Sequence, residues 1–199
     1  MRPHRLATVA LTISAVTLTT LIATARAPQA EAAPAPPQPV RSHADLGAYL
    51  VRTMGCHDCH TPLKMGPKGP EPDMSLALTG HPESLKMPPA PKLPPGPWLT
   101  VGSATNTAWA GPWGVSFTAN LTPDKETGLG DWTEEQFIAT MRTGKHQGKG
   151  RPVLPPMPYF IVGALTDPEI KALWAYLRSL PPVKNRVPQP IDPPEGTQP

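Results

Sequence analysis

Residues 56–60 read Cys56-His57-Asp58-Cys59-His60, a C-x-x-C-H pentapeptide containing the only two cysteines of the 199-residue chain. This spacing is the attachment signature of a c-type haem. Two thiols three positions apart share one helical turn and reach the two vinyl groups at one edge of the ring. The histidine after the second thiol then falls beneath the ring, with an imidazole nitrogen aimed at iron. One such motif predicts one covalent haem c, held by Cys56 and Cys59, with His60 as the proximal ligand.

Upstream, Arg2, His4 and Arg5 precede an uncharged run from Leu6 to Ala25, followed by small residues around Ala30-Glu31-Ala32. That order is a secretory signal peptide, expected over residues 1–32, with an uncleaved N-terminal anchor as the alternative. Haem is attached covalently in bacteria only after export, so motif and leader agree on the periplasm. Export also removes Arg2, Arg5, Arg26 and Glu31 from the count of 18 Lys+Arg against 15 Asp+Glu, leaving the mature chain close to balance. No global basic field remains to favour nucleic acid, and a membrane enters only if the leader stays.

The 31 prolines divide the chain. Residues 33–41 read as an extended Pro/Ala linker, residues 42–187 as one domain, and residues 188–199 as a Pro-rich disordered tail. Three helices are predicted inside the domain. The first runs from Ala44 to Met54 behind the N-cap Ser42, with Leu46, Leu50 and Val51 at helical spacing. The second starts at Thr133 with Gln136 as its capping-box partner, buries Phe137, Ile138 and Met141, and stops at Gly144. The third opens with Thr166 and Glu169, buries Ile170, Leu173, Trp174 and Leu177, and ends at Pro181-Pro182. Between Pro62 and Pro97 the proline density excludes a long helix or a central strand. The aromatic stretch 107–120 is expected to be a loop wrapping the haem; the less favoured alternative is a short hairpin around Gly111-Pro112.

A second axial ligand is required for pure electron transfer. Met157 is the best candidate, because Leu154-Pro155-Pro156-Met157-Pro158 restricts the directions in which its sulfur can point. Met87 and His81 are the runners-up. Met141 reads as core, and Met54 lies too close to Cys56 to reach the opposite face. Trp113, Asn120, Trp132 and Arg151 are candidate donors to the propionates, and a carbonyl of the 62–72 stretch is expected to orient His60.

With these residues in place, the chain resembles a class I c-type cytochrome. The match lies in C-x-x-C-H after a short helix, a proline-held methionine far downstream, and a closing helix from Leu165 to Leu180. Asn120-Leu121-Thr122-Pro123-Asp124 with Thr127-Gly128-Leu129-Gly130 and Trp132 is similar to bacterial periplasmic monohaem cytochromes that serve dehydrogenases as electron-transfer subunits. The resemblance implies an all-α cytochrome c fold with a long Pro-rich loop insertion. It also implies covalent haem at Cys56 and Cys59, axial ligands His60 and Met157, and Gly47 and Tyr49 packed against Trp174 and Tyr176.

With both axial positions filled, the chemistry left is one-electron transfer through a ring edge. The expected role is a carrier, not an enzyme, between a dehydrogenase or quinol oxidiser and a terminal acceptor such as an oxidase. A five-coordinate haem c that senses or reduces a small ligand is the alternative. A Cys56/Cys59 thiol–disulfide oxidoreductase is disfavoured by His60 and by the lack of a βαβ pattern.

Overall fold

The computed structural model describes residues 42–93 and 96–193. The leader and linker readings, and residues 194–199, lie outside that range. Helix α1 (His43–Thr53) begins where Ser42 and Asp45 form a reciprocal capping box, satisfying two backbone N–H groups that a helix start leaves unpaired. After it come α2 (Cys56–His60), α3 (Glu134–Thr143), α4 (Tyr159–Gly163) and α5 (Asp167–Ser179). The capping boxes Thr133/Gln136 and Thr166/Glu169 are both formed, and Gly144 closes α3. None of these helices is long and apolar enough to cross a membrane.

The helices enclose one core. Leu50 and Val51 of α1, Phe137 of α3, Val162 of α4, and Ile170, Leu173, Trp174 and Leu177 of α5 meet there, joined by Leu78 and Leu129 from loops. Helices α1 and α5 cross at Gly47, where a β-carbon would collide with the Ala172 carbonyl oxygen. Only a glycine permits that approach. Of the partners expected at this crossing, Gly47 and Tyr176 meet, and the Trp174 ring lies 5.4 Å from that of Phe137.

The all-α expectation is overturned. Among the described residues two antiparallel sheets accompany the five α-helices, a mixed α and β architecture. Strands β1 (Leu63–Gly66) and β2 (Gly69–Pro72) pair with Leu63 opposite Pro72. Strands β3 (Val101–Gly102), β4 (Ala108–Gly111) and β5 (Gly114–Phe117) form a meander, with Ala108 opposite Phe117 and Gly111 opposite Gly114. The aromatic stretch is therefore a hairpin turning at Pro112-Trp113. Proline is compatible with β1–β2 because both strands are edges: a missing N–H costs nothing where it faces no neighbour.

Beyond α5 the chain returns as an extended strap. Asn185 receives the Glu83 N–H and donates to the carbonyls of Thr79 and His81. Val183 bonds to Thr122 and Asn120. Ile191, inside the stretch expected to be a tail, exchanges two backbone hydrogen bonds with Val115 of β5.

Candidate haem site

Helix α2 carries Cys56, Cys59 and His60 on a little over one turn. Gly55 precedes it at φ 70°, a left-handed conformation that lets α1 end and α2 begin at once. The short helix is laced down by its surroundings. The Leu78 N–H donates to Thr61 Oγ1 at 2.9 Å, and Thr61 Oγ1 also hydrogen-bonds His57 Nδ1 at 2.8 Å. The Gly80 N–H holds the His60 carbonyl, and Asn106 Nδ2 holds that of Asp58 at 2.6 Å.

His60 is buried, and its Nδ1 lies 2.8 Å from the Ala119 carbonyl oxygen. A carbonyl can only accept, so Nδ1 carries the proton and Nε2 keeps its lone pair. That tautomer is the one an imidazole needs to bind a metal through Nε2. Burial also lowers the His60 pKa, favouring the neutral ring. The orienting carbonyl comes from residue 119, not from the 62–72 stretch expected to supply it.

The thiols are poor nucleophiles here. Burial pushes Cys56 up to about 11, and burial also raises Cys59, whereas a redox-active pair needs a stabilised thiolate.

Met157 lies in the turn before α4, half-buried against the same hydrophobic cluster that Cys56 borders. The turn is fastened to the β-hairpin. Ser116 Oγ donates to the Pro155 carbonyl at 2.6 Å and receives Trp113 Nε1 at 3.3 Å. The runner-up ligands sit elsewhere. Both ring nitrogens of His81 are engaged, Nε2–H donating to Leu85 O and Nδ1 meeting Thr107 Oγ1. Met87 lines a surface hollow with Leu85, Phe117 and Ile191.

Two of the expected propionate donors, Trp113 and Asn120, have protein partners. Trp113 serves Ser116, Asn120 bonds Val183 and Thr127, and exposed Arg151 bonds Pro152 O. Trp132 packs edge-on against half-buried His146. Instead, Trp109 Nε1 and Thr118 Oγ1 are buried with no hydrogen-bond partner among the described residues. Buried polar groups are nearly always satisfied, so two orphans beside the His60 and Met157 supports fit a bound group that brings its own acceptors. Thr118 precedes Ala119. Trp109 shares its face of the hairpin with Ser116, its cross-strand partner.

Comparison with known proteins agrees with this chemistry. The cytochrome c family profile matches residues 44–181. The fructose dehydrogenase cytochrome subunit of Gluconobacter japonicus is 28 % identical over 168 residues, covering 83 % of this chain and 27 % of that protein. The gluconate 2-dehydrogenase cytochrome c subunit of Pantoea cypripedii is 39 % identical over 67 residues, 34 % of this chain and 15 % of its own length. The cytochrome c subunit of the quinone-dependent alcohol dehydrogenase of Gluconobacter oxydans is 38 % identical over 65 residues, 33 % of this chain and 13 % of its own. The chain thus spans under a third of the length of these curated relatives. A covalently bound haem c and electron transfer follow from the family, and the chain belongs to the cytochrome c family.

Proposed function

We propose that this chain is a periplasmic one-electron carrier for a dehydrogenase and is not itself catalytic. Cys56 and Cys59 would hold the haem as thioethers, and His60 and Met157 would supply the ligands to its iron. The haem supplies a reversible one-electron couple, and a thioether ligand favours its reduced state. The protein does the rest. Ala119 fixes the His60 ring, Ser116 steadies the Met157 turn, and the apolar cluster around Cys56 and Met157 keeps water back.

The observation that carries this reading is the His60–Ala119 hydrogen bond, which commits a buried histidine inside C-x-x-C-H to the metal-binding tautomer. Dehydrogenase cytochrome subunits among the relatives support the choice of partner. Quinol oxidisers and terminal oxidases are further candidate partners for the same exchange. The leader-like residues 1–32 support export.

The test is a pair of visible spectra, oxidised and reduced, with and without carbon monoxide, on protein matured in a haem-attaching periplasm. A carrier shows the methionine–iron charge-transfer band and ignores carbon monoxide. Met157→Ala should abolish the band and admit the gas. Rapid carbon monoxide binding by the parent protein would instead identify an open coordination site, as in a sensor.

A further inference from the structure

After residue 32 the charges of this chain nearly cancel overall but not locally. Between Glu135 and Asp167 there are four cations, Arg142, Lys145, Lys149 and Arg151, and no carboxylate. Arg142 is neutralised by Asp167 at 2.8 Å. Lys145, Lys149 and Arg151 are exposed and take part in no ion pair among the described residues. Their fold keeps them together. The His146 N–H bonds to Arg151 O, the Gly150 N–H to His146 O, and the Val153 N–H to Gly144 O, so residues 144–153 form a tight basic finger.

That finger adjoins the Met157 turn. The Tyr159 ring lies over Gly144, filling the space a β-carbon would need, and Arg151 is six positions from Met157. Directly after the turn, Phe160 and Ile161 are 67 % and 52 % exposed. An apolar pair beside a cluster of unpaired cations is the arrangement of an interface centre with a charged rim.

We propose that Phe160 and Ile161, flanked by Lys145, Lys149 and Arg151, form the surface through which this protein exchanges its electron. The occupant is a redox protein whose docking face carries carboxylates around an apolar centre. The inference rests on the electron-carrier reading above and adds to it the location and the sign of the contact. One electron crosses per encounter, with no atom or proton transferred. The interface is small and transient, and its cations speed the encounter more than they tighten the complex.

The test uses the full haem-loaded protein, reduced by one electron, and two outer-sphere oxidants of opposite charge. Hexacyanoferrate(III) and tris(phenanthroline)cobalt(III) each accept that electron. Rates are followed by stopped flow as ionic strength rises from about 0.01 to 0.5 M, a range over which the Debye length falls from about 30 Å to a few Å. The expected result is that the anion slows several-fold with added salt while the cation quickens. The triple variant Lys145→Glu, Lys149→Glu, Arg151→Glu should reverse both signs. A control triple, Lys68→Glu, Lys92→Glu, Lys125→Glu, changes net charge equally elsewhere and should leave both signs as they were. Replacing the finger's cations with Gln should abolish the salt dependence without the strain of added like charges. The proposal is overturned if the two Glu triples behave alike, or if the parent shows no salt dependence. Failure to exchange electrons with either oxidant would sink the carrier reading itself.

Discussion

Ser116 Oγ donates to the Pro155 carbonyl oxygen at 2.6 Å, joining a β-hairpin to the turn that presents Met157. The residues are 39 positions apart, and the bond makes the hairpin a strut for the candidate distal ligand. Ser116→Ala removes the bond and leaves Trp113 Nε1 without its acceptor. The expected cost is about 1–2 kcal/mol, read from a denaturant midpoint. In haem-loaded protein the methionine–iron band should also fade at a lower temperature than in the parent. A normal band with lowered stability would limit Ser116 to a structural role.

The crossing of α1 and α5 depends on a missing side chain. Gly47→Ala drives a methyl into the Ala172 carbonyl and Tyr176 Cβ, and neither can move without its helix. A loss of at least about 2 kcal/mol is expected in urea unfolding, as for overpacked cores. An unchanged midpoint would mean that the helices part at little cost.

Trp109→Phe tests the orphaned donor. Removing an unpaired buried N–H should leave haem-free protein unharmed or slightly stabilised. Removing a paired one should cost about 1 kcal/mol in the haem-loaded form. The difference between the two forms is the diagnostic quantity. Equal effects would show that Nε1 does not bond to the bound group.

Acid should weaken the fold through His81. This ring is fully buried, donates through Nε2 to Leu85 O, and is pushed below its ordinary pKa chiefly by burial, with Lys86 adding in the same direction. In the unfolded chain it takes up a proton near the reference value of about 6.5. As pH falls through that value, the unfolded state binds protons first. Stability therefore declines by up to about 1.4 kcal/mol per pH unit until the folded-state pKa is reached, and is retained above the unfolded value. Half-buried His57 and His146 are shifted the same way. His81→Asn should make the urea midpoint less sensitive to pH while lowering it at neutrality. An unaltered pH slope would assign the acid effect to the other shifted rings, His57, His60 and His146.

Helices α1, α3 and α5 were legible because their signals are local, whereas α4 has no side-chain cap to announce it. Ser42, Thr133 and Thr166 each announce a start, and the apolar spacing behind them marks the buried face. The sheets were not, because each strand has four residues or fewer and is punctuated by glycine or proline, below the length at which alternation can be read. The C-x-x-C-H motif gave the cofactor from five residues. Ala119, Ser116 and Trp109 acquire their roles only through distant contacts: 59 positions separate His60 from its carbonyl. Trp113 and Asn120 had the right chemistry for propionates but found nearer partners. No residue-type signal separates a tryptophan whose N–H is already engaged from one whose N–H is not.

The strap beyond α5 also bears on the order of events during biosynthesis. Asn185 fastens the loop that follows His60, and Ile191 fastens the hairpin that steadies Met157. Both clasps lie more than a hundred residues downstream of Cys56. A chain threaded out N-terminus first therefore presents its two thiols well before the clasps exist, while the walls around them still stand open. The strap can close only after both thiols have emerged, which leaves an interval in which Cys56 and Cys59 stay accessible to haem attachment.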